Sequence, residues 1–247
     1  MKESFFIWNG VDCRAMGMKL AGPVAIVRPE ERIQHVEIPG RSGDLTETQG
    51  ADVFNSYIQT ASIMVHGGYR VREIYRWLKG DGFVTFSGEP DRKQAARIIG
   101  AITLNKQSRN LDWWVGEVQF YCQPLKQLLR EDKITIGSIG ASVRNNGDVI
   151  CKPMYKATIS GSTANTAISL TAAGTGTPAN NTIAVTGLTG GTYVWIDSDT
   201  MEIWNADRSA LLPKQSTGRF PVLAEGANTI TFVNISSLLI EKRERYL

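Results

Sequence analysis

Apolar positions follow two different periods along the chain. Around residues 69–78 the period is helical: Val71, Ile74, Tyr75 and Leu78 fall at i, i+3, i+4 and i+7 and share one face. Arg70, Arg72, Glu73 and Arg76 take the other side. Lys79-Gly80 then supplies a basic last turn and a residue that accepts the left-handed cap conformation. This spacing predicts a helix over 69–79. The surrounding pattern has period two. Phe83-Val84-Thr85-Phe86 follows the turn Gly80-Asp81-Gly82 and reads as a strand. Trp114, Val118, Phe120 and Cys122 alternate with Trp113, Glu117, Gln119 and Tyr121, and Pro124 is expected to close that strand. Residues 95–104 have mixed signals. A strand is expected there, because Gly100 would weaken a helix by about 1 kcal/mol.

The second half repeats a shorter motif. Thr158-Ile159, Ile168, Leu170, Ile183, Val185 and Tyr193-Val194-Trp195-Ile196 recur between clusters of Gly, Asn and Ser. β-Branched residues with turn signals at such intervals predict the short strands of a sandwich or barrel. The stretch 157–196 contains no Asp, Glu, Lys or Arg, and carries ten Thr and six Gly. Its hydrophobic alternation argues against a low-complexity linker. A composition shift near 131–150, punctuated by Gly137-Ser138-Ile139-Gly140 and Asn145-Asn146-Gly147-Asp148, marks a boundary. Two domains are expected, 1–133 and 134–247, in a mainly β fold.

Composition narrows the function. A chain of 247 residues with 42% hydrophobic and 21% charged residues is an ordinary globular chain, not a disordered, collagenous or coiled-coil one. The net charge of +3 weakens a nucleic-acid-binding assignment. Cys13, Cys122 and Cys151 show no paired spacing, so they read as small buried thiols in a reducing compartment. No stretch approaches 18 uncharged apolar residues, and four apolar residues at positions 5–8 are too few for a signal-peptide core. The sequons at Asn180 and Asn234 are accordingly expected to be unused.

Catalytic signatures are missing. The two histidines, His35 and His66, lie in no metal-ligand pattern, and there is no nucleophile elbow or phosphate loop. No cofactor or metal is expected. Asp197-Ser198-Asp199 with Glu202 has carboxylates suited to calcium but lacks an EF-hand's Gly and ligand count, so an exposed hairpin turn is expected. Asp91-Arg92 beside Glu89 reads as solvated charge. Trp113-Trp114 sends one indole to each face of its strand, and the second face then needs a cover. Trp195 and Trp204 suit stacking on a sugar ring in a carbohydrate-binding adhesion module, although core filling is the favoured expectation.

The order of these pieces resembles the distal tail protein (Dit) family of long-tailed bacteriophages. The resemblance opens with Phe6-Ile7-Trp8-Asn9-Gly10-Val11-Asp12, Met16-Gly17 and a Pro-containing strand over 23–29. It continues through Val36-Glu37-Ile38-Pro39-Gly40-Arg41-Ser42-Gly43-Asp44-Leu45, then 80–87 with Pro90-Asp91-Arg92, then Phe120-Tyr121-Cys122-Gln123-Pro124. In the second half it rests on Asn146-Gly147, Pro153, Val194-Trp195-Ile196-Asp197 and the run 220–230, with Pro221, Gly226 and Asn228.

The resemblance implies a tail-tube-like β-sandwich with one helix, followed by a galectin-like β-sandwich. It implies a virion protein at the distal tail, assembled in the bacterial cytoplasm. The first domain would form a homo-oligomeric ring, expected to be hexameric. That ring would join the tail tube protein to the tail-tip hub or tail-associated protein, near the tape-measure protein. No enzyme activity, nucleic-acid contact or membrane partner is implied. Candidate ring or partner contacts are Arg41, Asp44, Trp113 and Trp114. Gly40, Pro90, Asp91, Arg92, Pro221, Gly226 and Asn228 match as structural positions. The short connection 43–51 implies that a long belt-like arm is absent or reduced.

Overall fold

The computed structural model describes residues 3–48, 50, 52–212 and 216–247. The chain divides into two compact units, one ending at Leu129 and including Leu247, the other spanning Arg130–Tyr246. The architecture is mainly β, as the period-two patterning predicts.

In the first unit, β1 (Phe6–Trp8), β2 (Val11–Asp12), β3 (Met18–Leu20), β4 (Ile33–Val36), β5 (Leu45–Thr48) and β6 (Tyr57–His66) precede a single helix, α1 (Val71–Trp77). After it come β7 (Asp81–Phe86), β8 (Arg92–Ile99), β9 (Leu104–Lys106) and β10 (Trp113–Leu128). The main sheet runs β2-β1-β7-β8-β10-β6-β3, with β9 beside the first part of β10. Alternate residues of β6 and β10 turn inward, among them Ala61, Ile63, Val65, Val118, Phe120 and Cys122. In a flat sheet β1 and β10, three strand spacings apart, would lie about 14 Å from one another. Yet the Phe6 and Phe120 ring centroids are 5.2 Å apart. The sheet therefore curls around its own core. Ile74 and Leu78 of the helical segment fill the remaining space.

Four sequence expectations are corrected here. The expected strand over 23–29 is absent: no strand lies between β3 and β4. The helix is shorter than 69–79: Gly68–Arg70 forms a 3₁₀ turn, and Leu78 leaves helical geometry while its N–H still bonds the Ile74 carbonyl. Of its apolar face, Tyr75 is 40% exposed. Pro124 does not close a strand. β10 runs on to Leu128, with a register shift between Cys122 and Lys126 against β8. Pro124 occupies that bulge, where a residue without an N–H loses no ladder bond. Finally, β4 and β5 form a two-stranded sheet of their own, prolonged by the Glu31–Phe54 bridge. The expected short connection is thus the far part of a hairpin with mostly exposed side chains. Gln49 and Ala51 of that connection lie outside the described residues.

The second unit contains β11 (Lys133–Ile136), β12 (Ala141–Asn145), β13 (Met154–Ile159), β14 (Thr166–Gly174) and β15 (Thr182–Leu188). It continues with β16 (Tyr193–Asp197), β17 (Glu202–Trp204), β18 (Ser216–Gly218), β19 (Gly226–Val233) and β20 (Ile235–Glu241). They build two five-stranded antiparallel sheets, β11-β20-β13-β16-β17 and β12-β19-β14-β15-β18. Tyr155, Ile196 and Leu238 from one sheet join Leu170, Val185 and Phe232 from the other in one buried cluster. Two sheets that bury each other's inner faces form a sandwich.

Candidate functional site

The residues singled out in the sequence are distributed as structural clamps and exposed surfaces. Gly40 and Gly43 sit in the β4–β5 loop with φ of 82° and 79°. That left-handed backbone, rather than crowding, is what calls for glycine, since a Cβ at either would meet nothing. Arg41 and Asp44 are exposed in the same loop. Pro90-Asp91-Arg92 leads into β8 and anchors the end of β10: the Leu129 N–H donates to the Asp91 carbonyl at 2.9 Å. Glu89 is not simply solvated. One carboxylate oxygen accepts from Arg92 at 2.8 Å and the other from the buried Lys126 ammonium at 2.6 Å. A buried ammonium needs such a partner, because desolvation penalises its charge.

Trp113 and Trp114 take opposite faces, as strand alternation requires. Trp114 packs on the core, and its indole N–H donates to Asp112 Oδ1 at 3.0 Å. The other Asp112 oxygen accepts from the Gly68 N–H at 3.0 Å, tying the start of β10 to the turn before α1. Those bonds, from Trp114 first and then Gly68, hold the Asp112 carboxyl below its usual range. Trp113 lies outward, half-buried, edge-on to His66 with centroids 5.0 Å apart. Among the described residues His66 makes no side-chain hydrogen bond or ion pair, although the Asp112 carboxylate is close enough to interact with it electrostatically. Farther along the same outer face, Ile58 stands directly opposite Tyr121, and the two are 54% and 41% exposed. Phe83 on β7 is 43% exposed.

In the second unit, Pro221, Gly226 and Asn228 belong to one buried clamp. Asn228 accepts from the Ala224 N–H at 2.9 Å and donates to the Ala224 and Gly226 carbonyls at 2.8 and 3.1 Å. Gly226 has φ of 82°. The Pro221 carbonyl accepts from the Ser198 hydroxyl at 2.7 Å. Asn181, absent from the sequence-based candidates, completes the clamp by donating to the Val222 and Ala172 carbonyls, both at 2.7 Å. An amide that satisfies buried backbone groups looks like any surface Asn in sequence, so no sequence signal distinguishes it.

The carboxylates at 197–202 form no cation site. Asp197 is buried, not part of an exposed turn, and it pairs with Arg243 through both oxygens at 2.8 and 3.0 Å. Burial pushes its carboxyl up, but the Arg243 pair and the N–H groups of Asp199 and Thr200 outweigh that, so it lies below the usual range. Among the described residues no cluster of His, Cys, Asp or Glu could hold a metal. Burial pushes the Cys122 and Cys151 thiols up to about 12, which leaves both un-ionised and unreactive near neutral pH.

Trp195 and Trp204 face each other across β16 and β17 on the outer side of their sheet, half-buried rather than in the core. The favoured core-filling expectation therefore fails: inward positions on these strands belong to Val194, Ile196 and Ile203. Nor is Trp195 an open platform. The Arg208 guanidinium carbon lies 3.7 Å from its ring centroid, and its indole N–H donates to the Ala206 carbonyl at 3.2 Å.

Comparison with known proteins places the fold. No family model matches the chain, and no curated protein matches it. Chains of several solved structures do, among them two that cover nearly all of it. The first is the SPP1 Dit protein, described as a paradigm of the hub adsorption apparatus in phages infecting Gram-positive hosts. It shares 16% identity at a TM-score of 0.79 over 100% of both chains. The second comes from the phage P2 baseplate in its activated conformation with calcium. It shares 9% identity at a TM-score of 0.51 over 99% of both chains. The chain has the Dit fold over its whole length.

Proposed function

We propose that this chain is a structural subunit of a phage tail hub. The observation that carries this reading is the likeness to the SPP1 Dit protein through both units, with 100% of each chain covered. A shared fold does not by itself transfer function, so the sites must agree as well. What supports the reading is that the residues singled out by the family resemblance serve as turns, clamps and exposed loops, which suits an assembly subunit. In this reading six copies close into a distal tail ring through the first unit. The ring connects the tail tube to the tail-tip hub, near the end of the tape measure, and becomes part of the virion after assembly in the host cytoplasm. The role is structural, not catalytic.

The first unit offers the surfaces for ring closure. An isolated two-stranded hairpin is marginal in water. The β4–β5 hairpin nevertheless keeps Ile33, Ile38 and Leu45 at least a third exposed. In this reading Arg41 and Asp44 at its tip and Trp113 on the main sheet touch a neighbouring copy, with Trp114 beneath. The test is light scattering with negative-stain imaging of the purified chain over a concentration series. Closed rings of six copies are expected. A strictly monomeric chain at every concentration, and also in the presence of a tail-tube or tail-tip partner, defeats the reading.

A further inference from the structure

One surface of the second unit carries charge that the unit itself does not neutralise. Lys133, Lys152, Lys242 and Arg243 each pair with a carboxylate. Lys156 and Arg208 have no carboxylate within ion-pair distance among the described residues. Instead they sit over aromatic rings. The Lys156 ammonium is 3.8 Å from the Tyr193 centroid and 5.4 Å from that of Trp195, while Arg208 covers Trp195 at 3.7 Å. Among the described residues the Arg208 guanidinium donates to the Met154 sulfur at 3.1 Å, a weak acceptor. A cation held by a ring is fixed in place while keeping its donors for an anion.

The arrangement follows from strand register. Lys156 stands opposite Trp195 across β13 and β16, and Thr158 opposite Tyr193, so these side chains form adjacent rows on one face. Arg208 arrives from the loop after β17 with φ of 58°, a left-handed conformation uncommon for arginine. That loop is closed by Asn205, whose side chain accepts from the Ala210 N–H at 3.1 Å and donates to Ser209 at 3.0 Å.

Beside this pair lies an open groove of about 390 Å³, lined by Thr189, Thr192, Tyr193, Asn205 and Asp207 among others. Its volume lies within the common range for small-ligand sites, about 300–1,000 Å³. Tyr193 belongs to both features, with Lys156 over its ring and the groove along its side. The groove's own charge is opposite to the pair's. Asp207 is exposed, and the Ser209 hydroxyl and N–H donate to it at 2.8 and 3.2 Å, holding its carboxyl below the usual range. An ionised carboxylate beside threonine hydroxyls and an amide suits a ligand rich in hydroxyl donors.

We propose that the groove and the Lys156–Arg208 pair form one binding site for an anionic saccharide, its acidic group on the two cations and its hydroxyls in the groove. A neutral sugar would leave both cations uncompensated. An acidic peptide would bring further carboxylates against Asp207 and few hydroxyls for it.

The test is titration of the full chain with three probes, followed by calorimetry and by tryptophan fluorescence, to which Trp195 is one of six contributors. The probes are a galacturonic acid tetrasaccharide, a phosphorylated disaccharide and a neutral galactose tetrasaccharide. Binding of either anionic probe, and not of the neutral one, is expected; which of the two binds separates a carboxylate from a phosphate ligand. Arg208→Gln and Lys156→Gln should each weaken that binding by about tenfold, and raising the salt several-fold should weaken it further. Asp207→Asn should also weaken it, since a hydroxyl acceptor loses its charge. Melting temperatures of the variants are measured alongside, so that unfolding is not mistaken for lost affinity. The proposal is overturned by absence of binding with either anionic probe, by equal affinity for the neutral probe, or by folded variants that bind unchanged. A glutamate hexapeptide that binds as tightly as the saccharides would overturn it too, and would assign the surface to an acidic protein partner.

Discussion

The two units bury their apolar residues in different ways. In the second, two sheets cover each other, and the outer face of the β14–β15–β19 sheet carries mostly small and hydroxyl side chains, with Val233 exposed at one end. Thr171 and Thr182 share a hydrogen bond of 2.8 Å across that face, and Thr231 stands opposite Thr171. In the first, one sheet curls around a core completed by a short helix, so its outer face has no sheet of its own to cover it. That face keeps Ile58, Phe83 and Tyr121 exposed, and a hairpin with further exposed apolar residues stands apart from it. Among the described residues the sandwich's exposed large apolar side chains, Ile139, Met201, Leu211 and Val233, are fewer than those of the first unit. The first unit keeps more of them in water, and exposed apolar patches of this kind mark association surfaces.

The largest expected effects come from the core of each unit. Phe120 touches Phe6, Trp8 and Phe86, so Phe120→Ala should cost about 3–5 kcal/mol. Leu170→Ala inside the sandwich should cost about 2–5 kcal/mol. Scanning calorimetry of both variants shows whether the units melt separately. If each substitution lowers one transition and spares the other, the units are independent in stability. A single transition lowered equally by both would break the comparison.

Next is the buried charge. Glu89→Ala removes the side-chain carboxylate from Lys126, which also donates to the Leu247 oxygen at 3.1 Å, and should cost about 3 kcal/mol. The double variant Glu89→Ala with Lys126→Met should recover much of that loss, because a buried ion pair often contributes little beyond an apolar replacement. Chemical denaturation measures both, and a double variant no more stable than the single would show that Lys126 stabilises through other contacts. In the second unit the matching device is neutral. Asn228→Ala strands the Ala224 N–H and carbonyl, and a loss of about 1–3 kcal/mol is expected.

Much of the first-order architecture was legible in the sequence, for identifiable reasons. The helix and the alternating strands announce themselves because burial of one face imposes a period. The uncharged run 157–196 proved to be strands rather than linker for the same reason. Two kinds of feature did not show. Which face a strand turns inward depends on its sheet partners, so Trp195 and Trp204 were expected in the core and lie outside it. Polar clamps such as Asp112, Asn181 and the Glu89–Lys126 pair depend on approaches between distant segments. Hairpin β4–β5 was hidden by its own composition, since Gly43 and the polar residues after it resemble a plain connection. Pro124 misled because its rule holds for regular ladders, and this strand is bulged there.

A smaller effect sets the second unit's response to acid. The Asp197 carboxyl titrates below its ordinary value in the folded chain, near 3.8 when unfolded. Its contribution is therefore complete above about pH 5 and lost as the pH falls through the folded value. Arg243→Met removes the pairing that opposes burial, so Asp197 should titrate higher and acid sensitivity should begin at higher pH. Melting temperatures of the two proteins between neutral pH and pH 3 report this. Parallel curves would mean that Arg243 does not govern the carboxyl.

The smallest effect on stability is also the sharpest probe of the comparison. Ile58→Thr and Tyr121→Thr change side chains that are already about half in water, so each should shift stability by only about 0.5 kcal/mol. Thr171→Lys on the outer face of the sandwich should do as little. Association should separate them. If the exposed apolar row of the first unit is a surface between copies, replacing the Ile58–Tyr121 pair removes apolar area that a neighbour would bury, at roughly 25 cal/mol per Å². Two such side chains are enough to weaken association about tenfold or more. Thr171→Lys should leave it unchanged, because the small and hydroxyl side chains around it offer little to bury. Sedimentation of the three variants against the parent chain measures the difference directly. If Thr171→Lys dissociates the assembly while the Ile58 and Tyr121 variants do not, the sandwich carries the assembly contacts and the contrast between the units is reversed.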